Sequence, residues 1–295
     1  TGMLVFITGA ESFVGRALVA KCRTAGLEVV GIDTVPSEEP GVDVADIRDP
    51  ALPDLIPVGS TVVHLAAVSR DDDCRRDPSG ALDVNVRGTM NVASAAKARS
   101  ADQMIFASSE WVYGDVANDE QQDERAPINI TSMSSEYAVS KLVGEQVLRL
   151  GQYLEAMTVL RFGIIYGPRD GNFSAAEALL RSVMTQDEVT VGSVATARRF
   201  IHVDDIATGI LASVGLPGWT VLNLSGDRLT TLGEVIAASA SIVGKEVSIV
   251  ESSPDTPSIR NPINSRARQT LNWAPTYEIQ SGLQTVFDHF SVGTG

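Results

Sequence analysis

The feature that most restricts the fold lies near the start of the chain, where a short apolar run meets a glycine-containing turn. Residues 4–7 favour a β-strand, the turn over residues 8–15 reads TGAESFVG, and residues 16–25 have a helical pattern. A strand, a glycine turn and a helix in this order let backbone N–H groups and the helix N-terminus approach a pyrophosphate. The turn therefore predicts a dinucleotide site, with contacts from Gly9, Ser12, Phe13, Val14 and Gly15.

An acidic residue follows the second predicted strand at the distance expected for a ribose contact. Residues 28–32 form an apolar run, and Asp33 closes it. A carboxylate at this offset can accept both hydroxyls of an adenosine ribose and repels a 2′-phosphate. Residues 34–36 are Thr-Val-Pro and supply no arginine for such a phosphate, so NAD is favoured over NADP. The alternative is an ordinary turn aspartate after a strand.

Strand-like and helix-like stretches then alternate along the chain. Strands are predicted over residues 61–67, 104–107 and 157–161, with one helix over residues 83–98 and another from Tyr137 to about Leu150. Such alternation predicts an α/β fold with a doubly wound parallel sheet, whose ligands bind at the C-terminal ends of the strands.

Two short stretches at predicted strand ends are further candidates for cofactor contact. Asp46-Ile47 closes a possible short strand that could touch the adenine, although an ordinary loop also fits the pattern. Leu65, Ala66 and Ala67 end a buried strand, where small side chains let a flat ring approach the backbone. Two alanines at a strand end serve core packing as often as ligand binding. Packing is therefore the alternative to the predicted cofactor contact of these residues.

The sequence changes character after Gly167, where the elements become shorter. We expect an NAD-binding domain over residues 1–166 plus about 198–225. A smaller, mixed α/β C-terminal substrate lobe is expected over about 167–197 and 226–295.

A phenol and an ammonium lie four positions apart in Tyr137-Ala-Val-Ser-Lys141, after a polar, acidic stretch over residues 115–136 that is predicted to be a long loop. On a helix, residues i and i+4 share a face. A fixed ammonium favours the phenolate, and with a cationic nicotinamide ring it could lower the phenol pKa of about 10 by roughly three units. The pair can then remove a proton from an alcohol, although this spacing also occurs on solvated helix faces.

Composition argues against several classes of function. A formal net charge of −14 disfavours nucleic acid as a partner. The two cysteines, Cys22 and Cys74, and three scattered histidines show neither a disulfide framework nor a metal-ligand spacing. Because no apolar run reaches membrane-spanning length and no basic leader precedes the first strand, we expect a cytoplasmic protein without a membrane partner. Thr1 and Gly2 are expected to carry no function.

Taken together, these residues resemble the extended short-chain dehydrogenase/reductase family, and within it the NAD-dependent epimerase/dehydratase group that acts on nucleotide sugars. The resemblance covers almost the whole chain and implies a Rossmann-type doubly wound sheet with NAD as cofactor. The motifs that carry it are the turn over residues 8–15, Asp33, Asp46-Ile47, HLAA over 64–67, NVRGT over 85–89, SSEWVYG over 108–114, Tyr137 and Lys141, YGPR over 166–169, RRFIHVDD over 198–205 and LNWAP over 271–275.

The resemblance implies a role for each matched residue. Tyr137 would be the base or acid at a sugar hydroxyl, and Ser109 would hydrogen-bond the same oxygen. Lys141 would bind the nicotinamide ribose and lower the pKa of the tyrosine. Arg198 would clamp the nucleotide diphosphate, with a surface salt bridge as the structural alternative. The implied catalytic residues are thus Ser109, Tyr137 and Lys141, and the implied substrate contacts are Ser109, Glu110, Asn172 and Arg198.

Three departures from the family pattern bear on function. Ser12 replaces the usual middle glycine, and its side chain could crowd the pyrophosphate or donate a hydrogen bond to it. Ile164 replaces the asparagine that usually follows Arg-Phe-Gly and contacts the substrate. Glu110-Trp111 stands where dehydratases carry an Asp-Glu pair, and because an indole has no acid–base function, dehydration is disfavoured.

The resemblance favours an NAD-dependent nucleotide-sugar epimerase that oxidises a ring hydroxyl to a ketone and then reduces it again. The alternative is a sugar or hydroxy-acid dehydrogenase, or a keto-sugar reductase, on the same scaffold. A 4,6-dehydratase and a non-catalytic NAD-binding module are less favoured. Similar proteins commonly pair the helix near residues 83–98 with the helix that carries Tyr137, so a homodimer is expected.

Overall fold

Residues 3–292 are described by the computed structural model, and their elements alternate as the sequence predicts. Residues 1, 2 and 293–295 lie outside the described part of the chain. The strands are β1 (Leu4–Thr8), β2 (Glu28–Asp33), β3 (Val42–Val44), β4 (Thr61–His64), β5 (Gln103–Ser109), β6 (Met157–Phe162), β7 (Ile165–Tyr166), β8 (Glu188–Val191), β9 (Ala197–Arg198), β10 (Ile201–His202), β11 (Trp219–Leu224), β12 (Thr230–Thr231) and β13 (Ser248–Glu251). The α-helices are α1 (Phe13–Thr24), α2 (Leu52–Leu55), α3 (Asp71–Arg76), α4 (Pro78–Leu82), α5 (Thr89–Ala98), α6 (Glu136–Gly151), α7 (Ala175–Thr185), α8 (Val203–Ala212), α9 (Leu232–Val243), α10 (Ser265–Leu271) and α11 (Ile279–Val292).

The central element is a parallel sheet of seven strands in the order β11-β6-β5-β4-β1-β2-β3. Strands β4, β5 and β6 are buried at every position, as expected for parallel strands that are covered on both faces. The strand order reverses beside β1, which pairs with β2 on one side and with β4 on the other. Ligands of such sheets bind outside the C-terminal strand ends at this reversal. The predicted Rossmann-type doubly wound α/β fold is confirmed.

Two predicted elements differ from the structure in detail. The helix predicted over residues 83–98 begins as a π-helical turn, Asp83–Gly88, and becomes α-helical only in α5. The strand predicted over residues 61–67 ends at His64, because Leu65 and Ala66 turn their backbone N–H groups towards the Thr8 hydroxyl.

The chain divides into two compact units, each with its own core. The first runs to Gly114 and adds Pro127–Arg161 and Ala207–Leu222, and its core includes Phe6 and Phe106. The second contains the remaining residues, including 115–126 of the predicted long loop. Within the second unit, α7, α9 and α11 pack around a core of Tyr166, Phe200, Leu283 and other apolar side chains. The division into cofactor and substrate domains stays a prediction.

Neither a membrane-spanning helix nor a cluster of metal-ligating side chains is found among the residues that the structure describes. No helix between residues 3 and 292 is long and apolar enough to cross a membrane. Over the same range, no group of three or more His, Cys, Asp or Glu side chains is placed to hold a metal ion.

Candidate active site

The glycine turn between β1 and α1 is packed so tightly that side chains are excluded from two of its positions. Gly9 has a φ of +72°, and a Cβ built there would lie 2.8 Å from the backbone nitrogen of Ala66. A Cβ on Gly15 would lie 2.1 Å from the carbonyl oxygen of Gly9. Phe13 and Val14 form the first turn of α1, where backbone N–H groups point out of the helix N-terminus. The turn thus offers a bare backbone surface that suits a pyrophosphate.

Ser12 has a structural role at this turn that accounts for the missing glycine. It is the N-cap of α1, with an ordinary φ of −66°, so the position does not require glycine. Its hydroxyl donates to the Gly9 carbonyl at 2.7 Å and accepts from the Gly15 N–H at 3.0 Å. The Ser12 hydroxyl therefore donates its proton inside the turn. This conformation supports neither of the two expectations, that Ser12 crowds a pyrophosphate or that it donates a hydrogen bond to the pyrophosphate.

Asp33 is held at the C-terminal end of β2 by backbone donors. Its Oδ2 accepts from the Glu11 N–H at 2.9 Å, and its Oδ1 accepts from the Val35 N–H at 3.3 Å. The first of these bonds ties the carboxylate to the glycine turn. A carboxylate at this place can still accept ribose hydroxyls, because each oxygen has a second lone pair.

Asp46 and Ile47 have side-chain contacts of their own. Arg48 binds both carboxylate oxygens of Asp46, at 2.9 and 2.6 Å, and these hydrogen bonds hold the pKa of Asp46 below its ordinary value. Ile47 is buried in the core against Gly88, where a Cβ would lie 2.6 Å from the Ile47 Cδ1. A contact of this segment with the adenine stays a prediction.

The structure brings Ser109, Tyr137 and Lys141 together in the first unit. Ser109 ends β5, and Tyr137 and Lys141 lie on successive turns of α6. The Ser109 side chain lies close enough to Tyr137 for hydrogen bonding to lower the pKa of the phenol. The Lys141 Nζ donates to the Ala107 carbonyl at 2.8 Å and lies 5.8 Å from the centroid of the Tyr137 ring. The solvated helix face that the spacing alone allowed is excluded for Lys141, which is 4% exposed.

Burial shifts the pKa of both groups of the Tyr137–Lys141 pair away from the charged form. It raises the pKa of Tyr137 to about 12, and the hydrogen bond with Ser109 opposes this rise. It lowers the pKa of Lys141 to about 8, against the opposing effects of Cys74 and Glu145. At neutral pH the lysine therefore carries its charge and the phenol keeps its proton. Deprotonation of Tyr137 requires positive charge beyond what these residues supply.

The other predicted substrate residues are found in different settings. Glu110 follows Ser109 and is fully buried. Asn172 and Arg198 belong to the second unit, where Asn172 has a φ of +54°. Arg198 donates to the carbonyls of Ala197 and Ser258 at 2.8 and 2.6 Å and to the Ser258 hydroxyl at 2.8 Å, so its guanidinium has a fixed direction.

Comparison with known proteins agrees with this geometry. Residues 5–217 match the model of the NAD dependent epimerase/dehydratase family. The chain belongs to this family. It is an NAD-dependent enzyme, and the glycine turn and Asp33 fit the pyrophosphate and the ribose of that cofactor.

Individual members of the family are similar along their full length. UDP-glucose 4-epimerase of Mycolicibacterium smegmatis is 28% identical, with 98% of each chain covered. GDP-6-deoxy-D-mannose reductase of Pseudomonas aeruginosa is also 28% identical, with 96% of this chain and 95% of the relative covered. Among solved structures, the UDP-glucose 4-epimerase of Thermus thermophilus in complex with NAD has a TM-score of 0.83 at 26% identity, covering 98% and 99% of the two chains.

In this epimerase/dehydratase family member, His64 connects the C-terminal end of β1 to α5, and it is not among the predicted site residues. The Thr8 hydroxyl accepts from the N–H groups of Leu65 and Ala66 at 3.1 and 3.2 Å, so its proton is directed to His64 Nδ1 at 2.7 Å. His64 Nε2 then donates to the Thr89 hydroxyl at 2.9 Å. Burial, followed by the nearby Lys141, lowers the pKa of His64 to about 3, so the ring is neutral.

Asn85 continues the polar contacts to the helix of Tyr137. Its side chain accepts from the Val68 N–H at 2.8 Å and donates to the Val68 carbonyl and the Ser140 hydroxyl, both at 3.0 Å. The Ser140 hydroxyl donates in turn to the Tyr137 carbonyl at 2.8 Å. Asn85 thus connects the π-helical turn to α6.

A buried ion pair lies one helical turn beyond Lys141 and was also missed. Arg161 donates to both oxygens of Glu145, at 2.9 and 2.7 Å, and their side chains are 7% and 2% exposed. The Ser108 hydroxyl donates to Glu145 at 2.5 Å, and Arg161 donates to the Tyr113 hydroxyl at 3.0 Å. The sequence did contain a signal for Glu145, because this residue follows Lys141 by four positions and therefore lies on the same face of α6.

Two more side chains lie close to Tyr137. The Trp111 ring meets the Tyr137 ring edge to face, with centroids 6.4 Å apart. Cys74 is fully buried, and burial, together with nearby carboxylates, raises the pKa of its thiol. Trp111 therefore packs against the ring of Tyr137, and the Cys74 thiol stays protonated at neutral pH.

Proposed function

We propose that this chain is an NAD-dependent nucleotide-sugar epimerase that oxidises a sugar ring hydroxyl to a ketone and then reduces it from the other face. The observation that carries the proposal is the proximity of Tyr137 to the buried side chains of Ser109 and Lys141 in an NAD-dependent family member. A protein that only binds the cofactor needs no such set of proton-transfer groups. The epimerases among its relatives add support.

In this proposal Tyr137 takes the proton of the substrate hydroxyl, and Ser109 hydrogen-bonds the same oxygen. The bound cofactor supplies the hydride acceptor, and its cationic ring supplies the positive charge that Tyr137 needs to ionise. Lys141 adds its own charge below a pH of about 8 and holds the nicotinamide ribose. Return of the proton from Tyr137 accompanies the reduction, so that acid and base are the same residue.

The proposed substrate contacts are Ser109, Glu110, Asn172 and Arg198. Arg198 would bind the diphosphate, because a planar guanidinium suits bidentate recognition of phosphate oxygens. The three hydrogen bonds that fix its direction support this role, since a preoriented donor loses less entropy on binding. A homodimer and a cytoplasmic location are part of the proposal by analogy with the family.

The second candidate is a net oxidoreductase, either a sugar or hydroxy-acid dehydrogenase or a keto-sugar reductase. Ile164 favours it, because an apolar side chain packed against the core of the second unit stands where the family pattern has a substrate-binding asparagine. The reductase among the relatives adds support. Dehydration is disfavoured, since Trp111 provides no acid or base beside Ser109.

Proton NMR of the protein with UDP- and GDP-linked hexoses, without and with added NAD, tests these functions. An epimerase produces a second anomeric signal that grows to a fixed ratio without net NADH. Stoichiometric NADH formation identifies the oxidoreductase, and a new methyl doublet identifies dehydration. An inert panel with intact NAD binding contradicts the epimerase.

Two tyrosine variants connect the activity to the site. Tyr137→Phe is expected to lose at least about a hundredfold in turnover, the lower range for removal of a general acid–base group, while still binding NAD. Tyr153→Phe removes a phenol hydroxyl at the core edge, away from the predicted catalytic residues, and is expected to leave turnover unchanged. Equal effects of the two substitutions would contradict the role of Tyr137.

A further inference from the structure

Glu11 places a second carboxylate next to the ribose-binding Asp33. We propose that Glu11 is a second determinant of NAD over NADP, because it closes the position of a 2′-phosphate with negative charge. Its backbone N–H donates to the Asp33 Oδ2 at 2.9 Å. Its carboxylate accepts a hydrogen bond from the Ser37 hydroxyl, four residues beyond Asp33. Glu11 therefore extends from the glycine turn, beside the Asp33 carboxylate, to the loop that follows β2.

The Glu11 carboxylate is fixed and ionised. Ser37 binds its Oε1, and Arg16 binds its Oε2 through Nε at 3.0 Å and NH2 at 2.8 Å. Its side chain is 8% exposed, so water screens the charge poorly. The Ser37 hydrogen bond, more than Arg16, holds the pKa of Glu11 below its ordinary value against the effect of burial. Because both oxygens are held, the carboxylate does not swing away from an incoming anion.

The local charges discriminate between the two dinucleotides. The 2′-hydroxyl of NAD is neutral, whereas the 2′-phosphate of NADP would add about two negative charges beside Asp33 and Glu11. Arg16 is a cation close to the turn, and its guanidinium is already paired with Glu11. Glu11 therefore acts in two ways, by repelling the phosphate and by occupying Arg16. This inference concerns the cofactor and does not depend on which sugar, if any, the enzyme converts.

Isothermal titration of NAD and NADP into Glu11→Gln tests the proposal. The amide keeps the size of the side chain and leaves the backbone bond to Asp33 in place. The affinity for NADP relative to NAD is expected to rise about tenfold or more, which corresponds to about 1.4 kcal/mol. The affinity for NAD itself is expected to change less than about threefold. In Glu11→Gln/Arg16→Gln the rise is smaller, because the released guanidinium is no longer available to the phosphate.

Glu39→Gln is the matched control. It removes one negative charge from the same loop, where Glu39 pairs with Arg23 at 2.7 Å, and is expected to leave the NADP/NAD ratio unchanged. A ratio within about twofold of the parent in Glu11→Gln, or an equal rise in Glu39→Gln, overturns the proposal. If Glu11→Gln does not fold, Ser37→Ala replaces it. That variant frees the carboxylate from its anchor and is expected to raise the ratio about threefold, and an unchanged ratio there contradicts the proposal.

Discussion

The buried Glu145–Arg161 pair provides the sharpest test of the tertiary structure around the site. In Glu145→Leu the Arg161 guanidinium would stay buried without its carboxylate. Of the hydrogen bonds described above, it would keep the one to the Tyr113 hydroxyl. Arg161→Met would leave the Glu145 carboxylate with the Ser108 hydroxyl. Removing one partner of a buried pair costs about 3–5 kcal/mol, because the other charge is then uncompensated. Each single substitution should therefore lower the free energy of unfolding by that amount.

The double substitution Glu145→Leu/Arg161→Met should behave differently. It removes both charges and fills the space with apolar side chains, a replacement that is often close to neutral. The double variant is thus expected to be more stable than either single variant. The coupling free energy, taken from the four proteins, should be several kcal/mol.

Thermal and urea unfolding measure these differences. An unfolding entropy of about 2.1 cal/mol/K per residue converts a loss of 3–5 kcal/mol into a Tm decrease of about 5–8 °C, if the whole chain unfolds in one transition. Single variants that lose less than about 1 kcal/mol would show that the pair is not buried as described. A double variant that loses the sum of the two single losses would show that the two side chains do not interact.

Three further predictions concern the pKa shifts and the turn. Binding of NAD should weaken as the pH rises through about 8, because Lys141, the proposed contact of the nicotinamide ribose, loses its proton there. A dissociation constant that does not change up to a pH of about 10 would refute this prediction. His64 has a folded pKa of about 3, far below the 6.5 of the unfolded chain, so the unfolded state binds the extra proton and stability falls as the pH drops below 6.5. Between pH 7 and pH 5 the free energy of unfolding should fall by about 2 kcal/mol more in the parent than in His64→Gln, as measured by urea unfolding. An equal dependence of the unfolding free energy on pH in the two proteins would contradict this prediction. Ser12→Ala should cost about 1 kcal/mol and Ser12→Gly only a few tenths, because the cap is lost while glycine is tolerated at an N-cap; equal losses would argue against the capping role.

The order of strands and helices could be predicted from the sequence because its signals are local. The turn over residues 8–15, the alternation of apolar runs and the spacing of Tyr137 and Lys141 each lie within a few residues. Such patterns predicted the doubly wound sheet and the family, and both are confirmed. The predicted site residues stay proposals, although the structure brings Ser109, Tyr137 and Lys141 together.

Other features depend on contacts between residues far apart in the chain. Ser12 could be judged only once its hydroxyl was seen to bond Gly9 and Gly15. The pairing of Glu145 with Arg161 joins a helix to a strand, and nothing in the local sequence of either residue specifies its partner.

The sequence by itself determined which residues could do chemistry, because residue type and local spacing set what a side chain can donate, accept or bind. Only the tertiary structure decided their protonation. Burial sets the pKa of Tyr137, Lys141 and His64, and burial is a property of the whole packed unit. The same packing directs the Glu11 carboxylate to Ser37 and Arg16, which fixes a negative charge beside Asp33.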